Sequence, residues 1–314
     1  MLTNVRMSLV SILCGVLICQ PAWSWGDVGH KVVARVAAQK LTPAARSKVA
    51  ALLGSEDDPA SVSDAMADAA VWPDHVARTK FPQSAPWHFI DLSLKNGEND
   101  IPNPFLNENT SFGKIIRFAT AIQRGEPDEV AEPGSNLMFL IHFAGDLHQP
   151  LHDATDQDRG ANCVKVKYPL TNGGLSRQEK LHHAWDTGIL EDNLGTDDRA
   201  LALHFVRDFD IASDEDQKAI LLADPRTSDL KTAVHAWAME AHKLAVDEVY
   251  RPLRPEVPVL EFAEVDSSCA NAAPFTRTLR ILDSDYVTNA ARIMDQQLLA
   301  GGIRLAALLN TIAQ

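Results

Sequence analysis

Eleven consecutive residues, His142-Phe143-Ala144-Gly145-Asp146-Leu147-His148-Gln149-Pro150-Leu151-His152, hold three histidines and one aspartate. In a helix His142 and Asp146 project from nearly the same side, one turn apart. Pro150 cannot continue the helical ladder, so the helix ends before it and His152 turns back toward the other two. Imidazole nitrogen and carboxylate oxygen are donors that suit zinc. One helix rarely closes a metal site, so the chain must bring donors of the same kind from elsewhere.

Three other segments supply them. The first is Trp25-Gly26-Asp27-Val28-Gly29-His30. The second is Trp72-Pro73-Asp74, joined fourteen residues on by Trp87-His88-Phe89-Ile90-Asp91. In the third, Leu181-His182-His183-Ala184-Trp185-Asp186, His182 and Asp186 repeat the four-residue spacing of His142 and Asp146. Taken singly each has a blander reading. His30 alone is a solvated helix residue, and His88 between Trp87 and Phe89 is a satisfied core histidine. His148 and His183 point away from their ligand-type neighbours and read as structural, while His75, His204, His235 and His242 have no partnered spacing. The joint pattern of two His-x3-Asp pairs with two further donor segments is what is specific.

The first 24 residues have the pattern of a secretory leader: Arg6, an apolar run from Met7 to Cys19, and the small-x-small site Ala22-Trp23-Ser24. Cleavage after Ser24 would make Trp25 the mature N-terminus. The α-amino group there has a pKa near 7.7–8.0, low enough to yield its proton to a metal. No later run is apolar for long enough to cross a bilayer, so a secreted or periplasmic protein without a membrane anchor is expected. Cys163 and Cys269 remain after cleavage; in an oxidising compartment they form one disulfide or stay as two buried thiols. The net charge of −13 disfavours passive docking on a phosphate backbone or an anionic membrane. Several divalent ions in one pocket would attract a polyanion despite it.

Residues 25–314 read as one mainly α-helical domain. The pattern predicts helices over Val28–Leu41, Pro43–Leu53 after the cap Thr42, a third capped by Ser61 or Ser63 and reaching Trp72, Ser111–Arg124 and Ser135–Leu147. Further helices are predicted over 181–190, 197–207, 214–222, 228–250 and 284–310. The segment from Arg78 to Asn109 reads as loop with ordered features at Trp87–Asp91 and the turn Lys95-Asn96-Gly97. The alternating stretch Asn162–Tyr168 reads as one arm of a small β-hairpin. Pro252, Pro255 and Pro258 open an irregular stretch before the last helix.

The same segments, with Asp158-Arg159-Gly160-Ala161-Asn162 and the closing Gly302-Ile303-Arg304-Leu305-Ala306-(x)2-Leu309-Asn310, resemble the single-strand-specific zinc nucleases, whose helical fold is shared with the zinc phospholipases C. The resemblance covers residues 25–314 and implies three zinc ions per chain. One would be held by Asp74, His88, His142 and Asp146. A second would be held by the amine and carbonyl of Trp25, by His30 and by a bridging Asp146. A third would take His152, His182 and Asp186. It implies hydrolysis by zinc-activated hydroxide, with Asp74 and Asp146 at the catalytic centre, and 5′-phosphorylated products from single-stranded DNA and RNA. It also implies 3′-nucleotidase activity. Phe89, Asp91 and Asn162 would bind substrate, and a monomer is expected.

Three departures qualify the transfer. The family usually carries an arginine that steadies the transition state three residues after the aspartate of Trp-x-Asp; here Ala77 stands there and Arg78 follows, so Arg78 takes that catalytic role only through a local shift. Thr187 stands where some members carry an asparagine tied to base binding. Ala161 replaces the second glycine of a common Gly-Gly-Asn, a change that an extended residue would absorb. Two other readings are a zinc phospholipase C acting on lipid head groups and a non-catalytic zinc-binding secreted protein. Against the first, Asp186 stands where the phospholipases tend to carry glutamate; against the second, no thiolates exist to close the open coordination positions.

Overall fold

A computed structural model describes residues 25–94, 109–171, 173–174, 176–253, 269 and 279–314. The leader, the Lys95-Asn96-Gly97 turn, Pro255 and Pro258 lie outside the described residues. The helices in chain order are α1 (Asp27–Gln39), α2 (Pro43–Leu53), α3 (Pro59–Trp72), the single turn α4 (Arg78–Lys80), α5 (Ser111–Arg124) and α6 (Ser135–Asp146). They continue with α7 (Leu181–His183), α8 (Ile189–Leu194), α9 (Asp198–Ile211), α10 (Asp214–Leu221), α11 (Leu230–Leu244) and α12 (Ser284–Ile312). The fold is helical, as the periodicity predicts.

Helix α1 packs against α3, α9 and α12. Val32, Val33, Ala34, Val36 and Ala37 are all fully buried, and burying each valine contributes about 1.5–3 kcal/mol. Helix α12 reaches α1 closely because Gly302 has no side chain; a Cβ there would meet Val36 Cβ at 2.5 Å. On the other side, Phe118 of α5, Phe139 and Phe143 of α6, and Trp87 form one aromatic cluster. His88 and His142 stand edge-on to Phe143 at its border.

Thr42 caps α2 by accepting from Ala45 N–H. The cap of α3 is Asp58, which accepts from Ala60 and Ser61 N–H, and not Ser61 or Ser63 as the sequence suggests. Pro59 at the first helical position lacks the donor that position would leave orphaned, so the helix starts one turn earlier than expected. The segment after α3 contains the short α4 turn and a 3₁₀ stretch, Pro82–His88, where loop is predicted.

The long helical runs are also interrupted. Five- and six-residue π turns occupy Pro73–Ala77, Ala184–Gly188 and Ala245–Tyr250. Such bulges concentrate at functional sites, and the first two carry Asp74 and Asp186.

The hairpin exists as β1 (Lys165–Tyr168) paired antiparallel with β2 (Arg177–Lys180), and it gains a third strand. β3 (Arg280–Ile281) lies parallel to β1, giving the order β2-β1-β3. Two residues are too few to leave a periodic signal in the sequence. Cys163 and Cys269 form a disulfide, which resolves the two alternatives in favour of the bridge.

Candidate metal centre

The stretch from His142 to His152 forms the C-terminal end of α6 and the turn beyond it. His142 and Asp146 face one way, with His142 Nε2 3.3 Å from Asp146 Oδ2. Pro150 opens a 3₁₀ turn that ends at His152. Helix α1 crosses α6 at Gly145, where a Cβ would meet His30 Nδ1 at 2.7 Å. That close approach lets the His30 ring stack on His142, centroids 4.0 Å apart, and brings its Nε2 to 3.4 Å from Asp146 Oδ1. Trp25, fully buried, packs beside Gly29 and Gly145.

The π turn after α3 presents Asp74, and the 3₁₀ turn Pro82–His88 delivers His88 opposite it. His88 Nδ1 lies 3.0 Å from Asp146 Oδ2, 3.0 Å from His142 Nε2 and 3.9 Å from Asp74 Oδ1. Arg78 follows four residues after Asp74, a spacing at which helical side chains are neighbours, and pairs with it, Nη2 to Oδ1 3.1 Å.

The segment from His88 onward runs beside the His152 turn. His152 Nδ1 donates to the His88 carbonyl at 2.6 Å, and Ile90 N–H donates to the His152 carbonyl at 2.8 Å. Across from His152, His182 and Asp186 approach to 3.4 Å. Three groups of donors result: His30–His142–Asp146, Asp74–His88–His142 and His152–His182–Asp186, each with ligand atoms within 4.8 Å of one another.

The hydrogen bonds suit a bound cation. The Nδ1 atoms of His142, His152 and His182 face the carbonyls of Ala70, His88 and Gly160 at 2.6, 2.6 and 2.5 Å. A carbonyl only accepts, so each of these nitrogens carries the hydrogen and, in the neutral ring, Nε2 presents a lone pair inward. This is the arrangement that orients metal-bound histidines. His152 Nε2 is buried with no hydrogen-bond partner.

Burial, reinforced by neighbouring histidines, holds His30, His88 and His152 well below the ordinary histidine range, so they are neutral donors. Burial opposes protonation of His142 too, but Asp146 and Asp74 beside it outweigh that and raise it. Burial pushes Asp146 up to about 6 against the pull of His142, and raises Asp186 strongly against the hydrogen bond from Gln149. Carboxylates and lone pairs packed this closely out of water repel unless a cation lies among them.

The expected substrate residues fall into two kinds. Phe89 is 37 % exposed, so its ring is accessible. Asp91 is buried in a left-handed conformation, φ 56°, and burial with the nearby Asp158 lifts it to about 7. Asn162 is buried and donates its amide N–H to the Arg159 carbonyl at 2.9 Å, closing the turn beneath His182. In that turn Ala161 has φ 64° and not the extended conformation expected of it. A left-handed alanine costs roughly 1–2 kcal/mol. Ala161→Gly is therefore expected to raise the thermal midpoint by the equivalent of about 0.5–1 kcal/mol, measured by calorimetry; a lowered midpoint would show that no strain was relieved.

Sequence reasoning passed over Gln149. Its amide nitrogen donates to Asp186 Oδ1 at 2.5 Å, and its carbonyl accepts from Leu151 N–H at 2.6 Å. The second bond fixes which end of the amide faces Asp186, leaving Oδ2 toward His182. Its place between His148 and Pro150 in the densest donor stretch was the available signal. Gln149→Leu is expected to weaken metal binding at the His152–His182–Asp186 group about 10–100-fold. Equilibrium dialysis against a zinc buffer series measures it, and unaltered affinity would remove Gln149 from the site. His148 and His183, read as structural, do stand apart: His148 is buried, with Nε2 3.0 Å from an Arg304 Nη1, and His183 is half exposed beside Glu179.

Taken together, a helical fold whose histidines and aspartates converge from four stretches of chain in one buried cluster defines a protein with a candidate multi-metal centre. The family model for S1/P1 Nuclease matches residues 25–314, and the chain belongs to that family. Endonuclease 2 of Arabidopsis thaliana is 26 % identical over 302 residues, spanning 92 % of this chain and 90 % of its own. Nuclease P1 of Penicillium citrinum is 28 % identical over 235 residues, 70 % of this chain and 80 % of its own. Nuclease S1 of Aspergillus oryzae is 29 % identical over 182 residues, 57 % of this chain and 58 % of its own. No helix among the described residues is long and apolar enough to cross a membrane.

Proposed function

We propose that this member of the nuclease family is an exported zinc-dependent endonuclease. It would cleave single-stranded DNA and RNA to 5′-phosphorylated products and also act as a 3′-nucleotidase. The observation that carries the reading is Asp146, whose carboxylate lies within 3.4 Å of imidazole nitrogens from His30, His88 and His142. A buried acid among three imidazoles from three segments could be shared between two ions. Asp74, His88, His142 and Asp146 would hold one zinc; Trp25, His30 and Asp146 a second; His152, His182 and Asp186 a third.

Zinc bound there would supply a water of lowered pKa and positive charge for the phosphodiester. The protein's own residues do the rest. Arg78, 20 % exposed at its side chain and paired with Asp74, brings a fixed positive charge to the rim where a phosphate oxygen would gain charge. Phe89 offers an accessible ring on which a base can stack, which favours strands whose bases are unpaired. Burial of the donors keeps bulk water from competing for the metals. Family coverage beginning at residue 25 supports a mature chain of residues 25–314 starting at Trp25. The disulfide is in keeping with an oxidising compartment after export.

Purified protein from an exporting host is expected to hold close to three zinc per chain and to cleave single-stranded DNA, RNA and 3′-AMP but not phosphatidylcholine. Chelation should abolish cleavage and zinc restore it. One zinc per chain, or hydrolysis of lipid alone, would sink the reading.

A further inference from the structure

The outer face of the small sheet carries lysines and no acid. Alternation buries Val166 and Tyr168 and leaves Lys165 and Lys167 exposed. In the antiparallel register Lys180 stands directly opposite Lys165, and Gln178 opposite Lys167, so all four share the outer face. Glu179, the acid of the pair of strands, lies on the inner side, hydrogen-bonded by the Tyr168 hydroxyl. Like charges directly opposite on neighbouring strands destabilise the pairing. Among the described residues Lys165, Lys167 and Lys180 have no ion pair that would relieve it. In a chain of net charge −13, this face is locally basic. Beside it, Ile281 stands in register with Lys167 on β3 and is 70 % exposed.

The face also has a telling position. Leu181 N–H donates to the Val164 carbonyl at 2.8 Å, so the Lys165–Lys180 end of the hairpin is the end that enters the candidate metal centre. His182 follows one residue later. The turn before β1 holds it through the Gly160 carbonyl. Lys180, at this end of the hairpin, is two residues before His182 in the chain.

We propose that Lys165, Lys167 and Lys180 form a track for the phosphate backbone of a single strand whose cleaved linkage lies at the metal centre, with Ile281 as an apolar contact for a base. The proposal rests on the nuclease reading above. Charge complementarity selects this occupant: three cations along two short strands match a line of phosphates. Ile281 and the neighbouring exposed Leu279 are too small an apolar patch for insertion into a bilayer. Each phosphate neutralised on a single strand adds about 0.7 to the slope of log affinity against log salt.

The test is the binding of a fluorescein-labelled single strand of about 20 nucleotides with phosphorothioate linkages, chosen for resistance to hydrolysis. Anisotropy is followed for the zinc-loaded protein between about 50 and 200 mM salt. The triple variant Lys165→Gln, Lys167→Gln, Lys180→Gln is expected to bind at least tenfold more weakly at the lowest salt, with a slope shallower by about 2. Its thermal midpoint should hold or rise, because the like-charge pair is gone. Lys218→Gln with Lys231→Gln, removing exposed lysines on α10 and α11, should leave the slope as it was. An unchanged slope in the triple variant, or an equal fall in the control, overturns the track. So does lysine-dependent binding to phosphatidylglycerol vesicles with an unchanged strand slope, which would assign the face to a membrane. Cleavage of an ordinary phosphodiester strand is run in parallel. If the parent protein fails to cleave it, the nuclease reading fails, while the slopes still report on the face.

Discussion

Asp146→Asn is expected to lose two equivalents of bound metal and to lower phosphodiester cleavage by three orders of magnitude or more, at least about 4 kcal/mol in the barrier. The residue is fully buried and faces His30, His88 and His142 within 3.4 Å. Asparagine preserves the shape, removes the charge and turns one acceptor into a donor aimed at imidazole lone pairs. Both proposed groups that would share this carboxylate lose an anionic ligand together, one of them keeping only Asp74. Asp186→Asn removes an acid from one group only, so it should cost one equivalent. Zinc per chain, measured by elemental analysis, separates the two cases. Equal losses from the two variants would show that Asp146 does not bridge.

A protein that keeps residues ahead of Trp25 is expected to be folded, short of one metal and at least about a hundredfold less active. Trp25 is fully buried, and Gly26 N–H donates to the Asp186 carbonyl at 2.9 Å, which fixes this segment against the turn that carries Asp186. A free amine at Trp25 has a pKa low enough to bind metal at neutral pH, whereas an amide nitrogen there has no lone pair to give. The measurements are zinc content, cleavage and thermal midpoint of an extended form beside the form beginning at Trp25. Mass spectrometry of exported protein checks the natural terminus. Full activity and three zinc in the extended form would mean that His30 and Asp146 bind without the amine.

Much of the candidate centre was legible before any coordinates because helices and metal ligands both obey short spacings. His142 with Asp146 and His182 with Asp186 are one turn apart, and Pro150 marks where the chain must turn. Buried apolar stripes such as Val32, Val33 and Val36 likewise show in the sequence as helical periodicity. Gln149 escaped notice because a neutral amide has no ligand chemistry of its own; it matters only through Asp186, thirty-seven positions away in sequence. The π turn that carries Asp74 left no pattern either. It arises from one extra residue in a turn, which periodicity reads as a fault in the helix.

By itself, the order of residues determined a helical chain of the nuclease family and named the imidazoles and carboxylates that gather in it, because those properties are local or additive along the chain. Only the tertiary structure decided which of them meet. The approach of α1 to α6 depends on Gly145 meeting His30, the strand β3 comes from beyond a long intervening stretch, and Cys163 joins Cys269 across 106 positions. Such contacts are set by the packing of whole surfaces, and no spacing within a single segment encodes them.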